Sequence, residues 1–124
     1  IERKQAYRCC TVDRAIEEYQ RAAEACTTGV IRVHDACFGI DPKWRRAFLR
    51  RVADLGATKR IDLLFRADQL EEEDAELLAA ANADVLFALE TSSHRMLRIM
   101  RKTRDPERYV QRFLDTAAAC DRHG

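Results

Sequence analysis

A strand-like run followed by a helix-like run occurs three times in this chain, and each strand-like run closes on a charged residue. The runs are residues 30–35 (VIRVHD), 61–66 (IDLLFR) and 84–90 (DVLFALE), ending on Asp35, Arg66 and Glu90. Strands alternating with helices across short connections call for right-handed βα units and a parallel sheet. In such units the loops at the carboxyl ends of the strands gather around one mouth, and the helices cover the outside. Asp35, Arg66 and Glu90 are therefore expected to face a common site. Three charged strand ends in succession point to a ligand that carries charges of its own.

Periodicity fills in the helices. Thr11 or Asp13 caps a first helix that turns Ile16, Tyr19, Ala23 and Cys26 inward and ends at residues 27–29 (TTG). The first strand runs from Val30 to about His34. Asp41 and Pro42 suit the N-cap and first position of a second helix, whose stripe is Trp44, Phe48, Val52 and Leu55. The second strand, Arg60 to Phe65, is expected to be apolar on both faces. A third helix opens on the acids Glu71 to Asp74, which favour the positive end of its dipole and are taken as solvated. Its apolar positions are Leu70, Leu77, Leu78 and Ala81, and Asn82 ends it before a third strand, Val85 to Leu89. A short helix with Leu97 and Met100 follows, then a final helix from Pro106 with Val110, Phe113, Leu114 and Ala117 on one side. The order is αβαβαβαα. Three parallel strands alone leave two open edges, so the expected architecture is a stretch of a longer βα barrel or sheet.

Composition narrows the class. At 124 residues the chain suffices for one domain, and 47% hydrophobic with 35% charged residues describes a helix-rich globule. The net charge of +1 offers no electrostatic case for nucleic acid, and the arginines, which far outnumber the lysines, look scattered among acids as solvated helix faces. No apolar run approaches the roughly 20 residues that span a bilayer, and no signal peptide opens the chain. The five cysteines (Cys9, Cys10, Cys26, Cys37 and Cys120) are odd in number and form no Cys-x-x-Cys pair. That pattern favours reduced thiols in a cytoplasmic protein over a disulfide framework, a zinc site or a cluster-binding loop. His34, His94 and His123 are too dispersed to converge on a metal. No Gly-rich phosphate loop or Gly-x-Ser-x-Gly elbow is present.

Four ordered pieces carry a family resemblance. Residues 66–70 (RADQL) follow a strand, residues 89–93 (LETSS) end the next one, and residues 96–102 (MLRIMRK) form the helix after it. Upstream, residues 34–41 (HDACFGID) close the first strand, and Tyr7 and Arg8 precede the first helix. In this order and spacing the chain resembles the core of radical S-adenosylmethionine enzymes, most closely the subgroup of cobalamin-binding members and methylthiotransferases. The family fold is a partial (β/α)6 TIM-like barrel. The resemblance implies that residues 1–124 are an internal segment lying between its first and fifth strands. The family's Cys-x-x-x-Cys-x-x-Cys loop, which ligates a [4Fe-4S] cluster, would then lie upstream of Ile1. Cys9 and Cys10 lack the spacing to replace it.

The same resemblance implies roles. Asp35, Ala36 and Cys37 would meet the methionyl amino group of S-adenosylmethionine, Arg66 its carboxylate, and Glu90 with Thr91 its ribose or amine. A protonated amine needs acceptors, and a guanidinium fork suits a carboxylate. Plainer roles stand beside these: Asp35 as a turn cap, Cys37 as a buried thiol, Arg66 as partner to Asp68 or Glu90. No catalytic residue and no metal ligand is assigned within the chain. The parent enzyme would perform radical chemistry or methyl transfer, with cobalamin, if used, held outside this stretch. The remainder of the parent polypeptide is its expected partner. Two other classes remain open, a different βα-barrel lyase or hydrolase and a non-catalytic α/β interaction module.

Overall fold

The computed structural model describes residues 8–123, so Tyr7 of the upstream piece lies outside the described residues. The elements are α1 (Val12–Ala25), β1 (Val30–Arg32), α2 (Pro42–Asp54), β2 (Arg60–Arg66), α3 (Glu72–Ala80), β3 (Ala83–Ala88), α4 (His94–Ile99) and α5 (Pro106–His123). The sheet is three-stranded and wholly parallel in the order β1-β2-β3, with helices packed against it. An α/β chain with βα crossovers is thus established.

Local chemistry sets the boundaries. Thr11 Oγ1 accepts from the Arg14 amide at 3.3 Å at the start of α1, and Asp41 Oδ1 accepts from the Lys43 amide at 2.9 Å ahead of Pro42. Asn82 leaves α3 with φ 53° and turns the chain directly into β3. Strand β1 is shorter than its sequence suggests. Val33 still donates to the Asp62 carbonyl at 3.1 Å, but residues 34–37 then bow away, and Phe38 returns to the Leu64 carbonyl at 2.8 Å.

The core lies on one side of the sheet. Strand side chains alternate between faces, and Ile61, Leu63 and Phe65 are completely buried against Phe48, Leu49, Val52, Leu78 and Ala81. Phe38 meets Trp44, Phe48 and Phe65 edge to face at 5.4–5.8 Å between ring centres. The opposite face differs from the apolar one expected of β2. Asp62, Leu64 and Arg66 occupy it, and the register sets Arg32, Asp62 and Asp84 side by side. Arg32 bonds Asp62 at 3.0 Å and Arg60 bonds Asp84 at 3.2 Å, so charges are paired across the strands. Leu86, in register with Leu64, is 48% exposed there.

Three helices depart in part from expectation, although Phe48 and Val52 of α2, Leu78 of α3 and the flanking Leu70 and Ala81 are buried as expected. In α2, Arg45 and Leu49 are buried, and Leu55 is exposed. In α5 the buried side is Tyr109, Thr116 and Ala119, with Leu114 outward. The acids of α3 are not all solvated. Asp74 is completely buried against Arg45, itself 1% exposed, with contacts of 2.7 and 3.1 Å. Helical periodicity cannot show this, because the inward position is occupied by a charge whose partner comes from another helix.

Candidate functional site

The parallel register places the ends of the strands on one rim. Arg66 closes β2 opposite Ala88 of β3, Glu90 lies two residues beyond, and Asp35 follows β1. All three charged residues are therefore at the carboxyl end of the sheet. They do not bond to one another. Arg66 grips Asp68 with Nε and Nη2 at 3.0 and 3.2 Å, and its guanidinium sits 6.0 Å from the centre of the Tyr109 ring. Hydrogen bonds donated to Asp68 outweigh partial burial and raise the Arg66 pKa further, which keeps it cationic. Its Nη1 has no partner among the described residues. Glu90 pairs with Lys102 at 2.5 Å. Tyr109 braces the rim from below, donating its hydroxyl to the Ala88 carbonyl at 3.2 Å, and burial raises its own pKa.

Glu90 has φ 65°, the left-handed region that costs a side-chain-bearing residue roughly 1–2 kcal/mol. The Thr91 amide immediately folds back onto the Leu89 carbonyl at 2.8 Å. Strain of this kind is concentrated where a side chain must be presented at a fixed place. Thr91 Oγ1 accepts from the Ser93 amide at 3.1 Å and keeps its own proton to donate. Ser93 in turn caps α4 through the Met96 amide at 3.4 Å.

The loop after β1 is held just as firmly. One carboxylate oxygen of Asp35 accepts from the Cys37 amide at 3.1 Å, which leaves the other free. Cys37 donates its thiol to Gln69 Oε1 at 3.0 Å, and that oxygen also takes the Arg66 amide at 3.2 Å. The amide nitrogen of Gln69 spans the carbonyls of Phe38 and Gly39 at 2.7 and 3.0 Å. Gln69 therefore ties the β1 loop to the end of β2, a role that its sequence position alone does not announce. Arg45 continues the tie, donating to the Gly39 carbonyl at 2.7 Å while it holds Asp74.

A hollow of about 370 Å³ opens beside this loop, lined by Arg32, His34, Asp35, Ala36, Leu64 and Leu86. Asp35 and Ala36 thus stand at a cavity on the face of the sheet away from the core, whereas Cys37 points its thiol into the Gln69 knot. Among the described residues no three His, Cys, Asp or Glu side chains converge to hold a metal ion. No helix of the described residues is long and apolar enough to cross a membrane.

Charge is less evenly spread than the net value implies. Every arginine from Arg14 to Arg66 has a carboxylate partner, but none of the six between Arg95 and Arg112 does among the described residues. Counting charges over that stretch, rather than over the chain, is the signal that finds them. Comparison with protein-family models, with curated proteins and with solved structures gives no match for this chain.

Proposed function

We propose that this chain is the inner part of a radical S-adenosylmethionine core, a sector of a partial βα barrel that binds S-adenosylmethionine along its strand-end rim. The observation that carries this reading is the hollow at the carboxyl end of a parallel sheet, edged by Asp35 and Ala36 and set on the face opposite the core. Binding sites of open parallel sheets lie at that end. Arg66 and Glu90, which carry two of the motif pieces, stand at the same end of the sheet as Asp35, which supports the assignment.

The available groups match the polar parts of such a cofactor. The free oxygen of Asp35 accepts from an ammonium, Nη1 of Arg66 donates to a carboxylate, and Glu90 and Thr91 serve ribose hydroxyls. Asp68 offsets the charge of Arg66, and Gln69 fixes the spacing between the two loops. Such a cofactor would supply a sulfonium for cleavage or methyl donation, beside a cluster that would be ligated from elsewhere in the polypeptide. The protein's share is positioning and electrostatics.

The test uses a polypeptide that carries this chain together with a three-cysteine loop upstream. Glu90→Ala and Arg66→Ala should each weaken S-adenosylmethionine binding roughly tenfold to hundredfold, the equivalent of about 1.5–3 kcal/mol for a hydrogen bond to a charged group. Iron content should stay at the wild-type level, because neither residue is in the ligand loop. Unchanged affinity with a lowered Tm makes both residues structural and overturns the assignment. A parent gene that encodes no such loop overturns the family reading itself.

A further inference from the structure

Where α4 gives way to α5, Arg98, Arg101, Lys102, Thr103 and Arg104 line a hollow of about 540 Å³. Arg98, Arg101 and Arg104 are exposed and without carboxylate partners among the described residues, whereas Lys102 is neutralised by Glu90. Acids close by in the chain are otherwise engaged or outside the lining: Asp105 Oδ1 caps the Arg108 amide at 3.1 Å, and Glu107 is exposed on the first turn of α5. Like charges held together raise the free energy of the folded chain unless an anion joins them. Three arginines line one hollow; a guanidinium that donates two parallel hydrogen bonds suits carboxylate and phosphate oxygens alike, and three positive charges together favour the more highly charged phosphate group.

We propose that this hollow binds the diphosphate group of a small molecule. Three unpaired guanidiniums offset the roughly three negative charges of such a group near pH 7, given about −1.5 to −2 for a single phosphate ester. No aromatic side chain lines the hollow, and a stacking platform is what single-stranded nucleic acid would require there. Lys102 joins the hollow to the rim through Glu90, so a molecule anchored by its diphosphate would reach toward the strand ends. The site itself does not depend on S-adenosylmethionine, and its test uses neither that cofactor nor a cluster.

Inorganic diphosphate is titrated calorimetrically into the chain, with sulfate at matched ionic strength and a short oligothymidylate as comparison ligands. Diphosphate should bind at least about tenfold more tightly than sulfate, because its greater charge and second set of oxygens engage more of the arginines at once. Arg98→Gln with Arg104→Gln should cost at least about tenfold in diphosphate affinity, and Arg98→Lys with Arg104→Lys, which keeps the charge but loses the two-pronged donor, should fall between the glutamine pair and wild type. Arg21→Gln with Lys43→Gln removes the same net charge elsewhere and should leave affinity unchanged. Circular dichroism melts confirm folding of each variant, and the lysine pair decides the matter if the glutamine pair unfolds. The proposal is overturned if diphosphate binds no better than sulfate, if the distant pair weakens binding as much as the local pair, or if only the oligonucleotide binds.

Discussion

Gly39 shows how one residue governs the rim. Its φ is 55°, and a Cβ there would lie 2.8 Å from Cβ of Arg45, an atom anchored to the α2 backbone and unable to swing aside. The close approach lets the Gly39 carbonyl reach both Arg45 and Gln69 and so seats the loop that carries Asp35 and Cys37. Gly39→Ala should destabilise the chain by about 1–3 kcal/mol for overpacking, in addition to about 1 kcal/mol for the left-handed backbone. Gly29→Ala is the matched control, since φ is 82° there but nothing lies within 4 Å. Urea unfolding of both variants checks this, and equal losses would show that the contact with Arg45 contributes nothing. Glu90 is the opposite case, a residue with a side chain held where glycine would be easier.

Among the elements, α2 and α3 are joined by charge as well as by apolar contact. Burial alone would raise the Asp74 pKa, but hydrogen bonds from Arg45 and Arg46 outweigh it and hold the carboxyl below its ordinary value. The hydrogen bond from Arg46 to Asp74, which outweighs partial burial, together with Glu71 and Glu73 also raises the Arg46 pKa beyond its already high value. Because the folded carboxyl titrates lower than the unfolded one, the unfolded chain binds more protons between the two values. The stabilisation is complete above the ordinary aspartate range near pH 3.9 and is lost as pH falls through the folded value. Asp74→Asn should cost about 3–5 kcal/mol at neutral pH, because Arg45 is left charged and buried. The gap from wild type should narrow once the native carboxyl protonates. Denaturant melts at neutral and strongly acidic pH measure it, and a gap that stays constant with pH would rule the ion pair out as its source.

For the molecule as a whole, the decisive feature is a sheet with a core on one face only. Strands β1 and β3 each have an unpaired edge among the described residues, and Leu86 is half exposed between paired charges on the open face. Unpaired parallel edges beside exposed apolar surface promote association of chains. The chain alone should therefore self-associate as its concentration rises from micromolar toward millimolar. Leu86→Lys should suppress that association with at most a small loss in Tm, since about half of Leu86 is exposed and a lysine stem can cover the same surface. Sedimentation velocity of both forms provides the check. Association that is equal in wild type and variant would direct attention away from this face.

The sequence by itself determined the element order, the cap at Asp41 and the common rim of Asp35, Arg66 and Glu90, and it narrowed the first cap to Thr11 or Asp13, of which the structure selects Thr11. Each of those depends on interactions within a few residues or on the alternation of βα units, and such signals are local. Tertiary structure decided the rest. The partner of Arg66 is its neighbour Asp68 and not Glu90, which goes to Lys102 instead. The buried pair of Arg45 and Asp74 spans 29 positions, and the Gln69 knot joins residues about as far apart. These contacts exist only once two βα units are laid side by side in register. A buried charge also looks the same as a solvated one in a string of letters, because what distinguishes them is the partner that arrives from another helix.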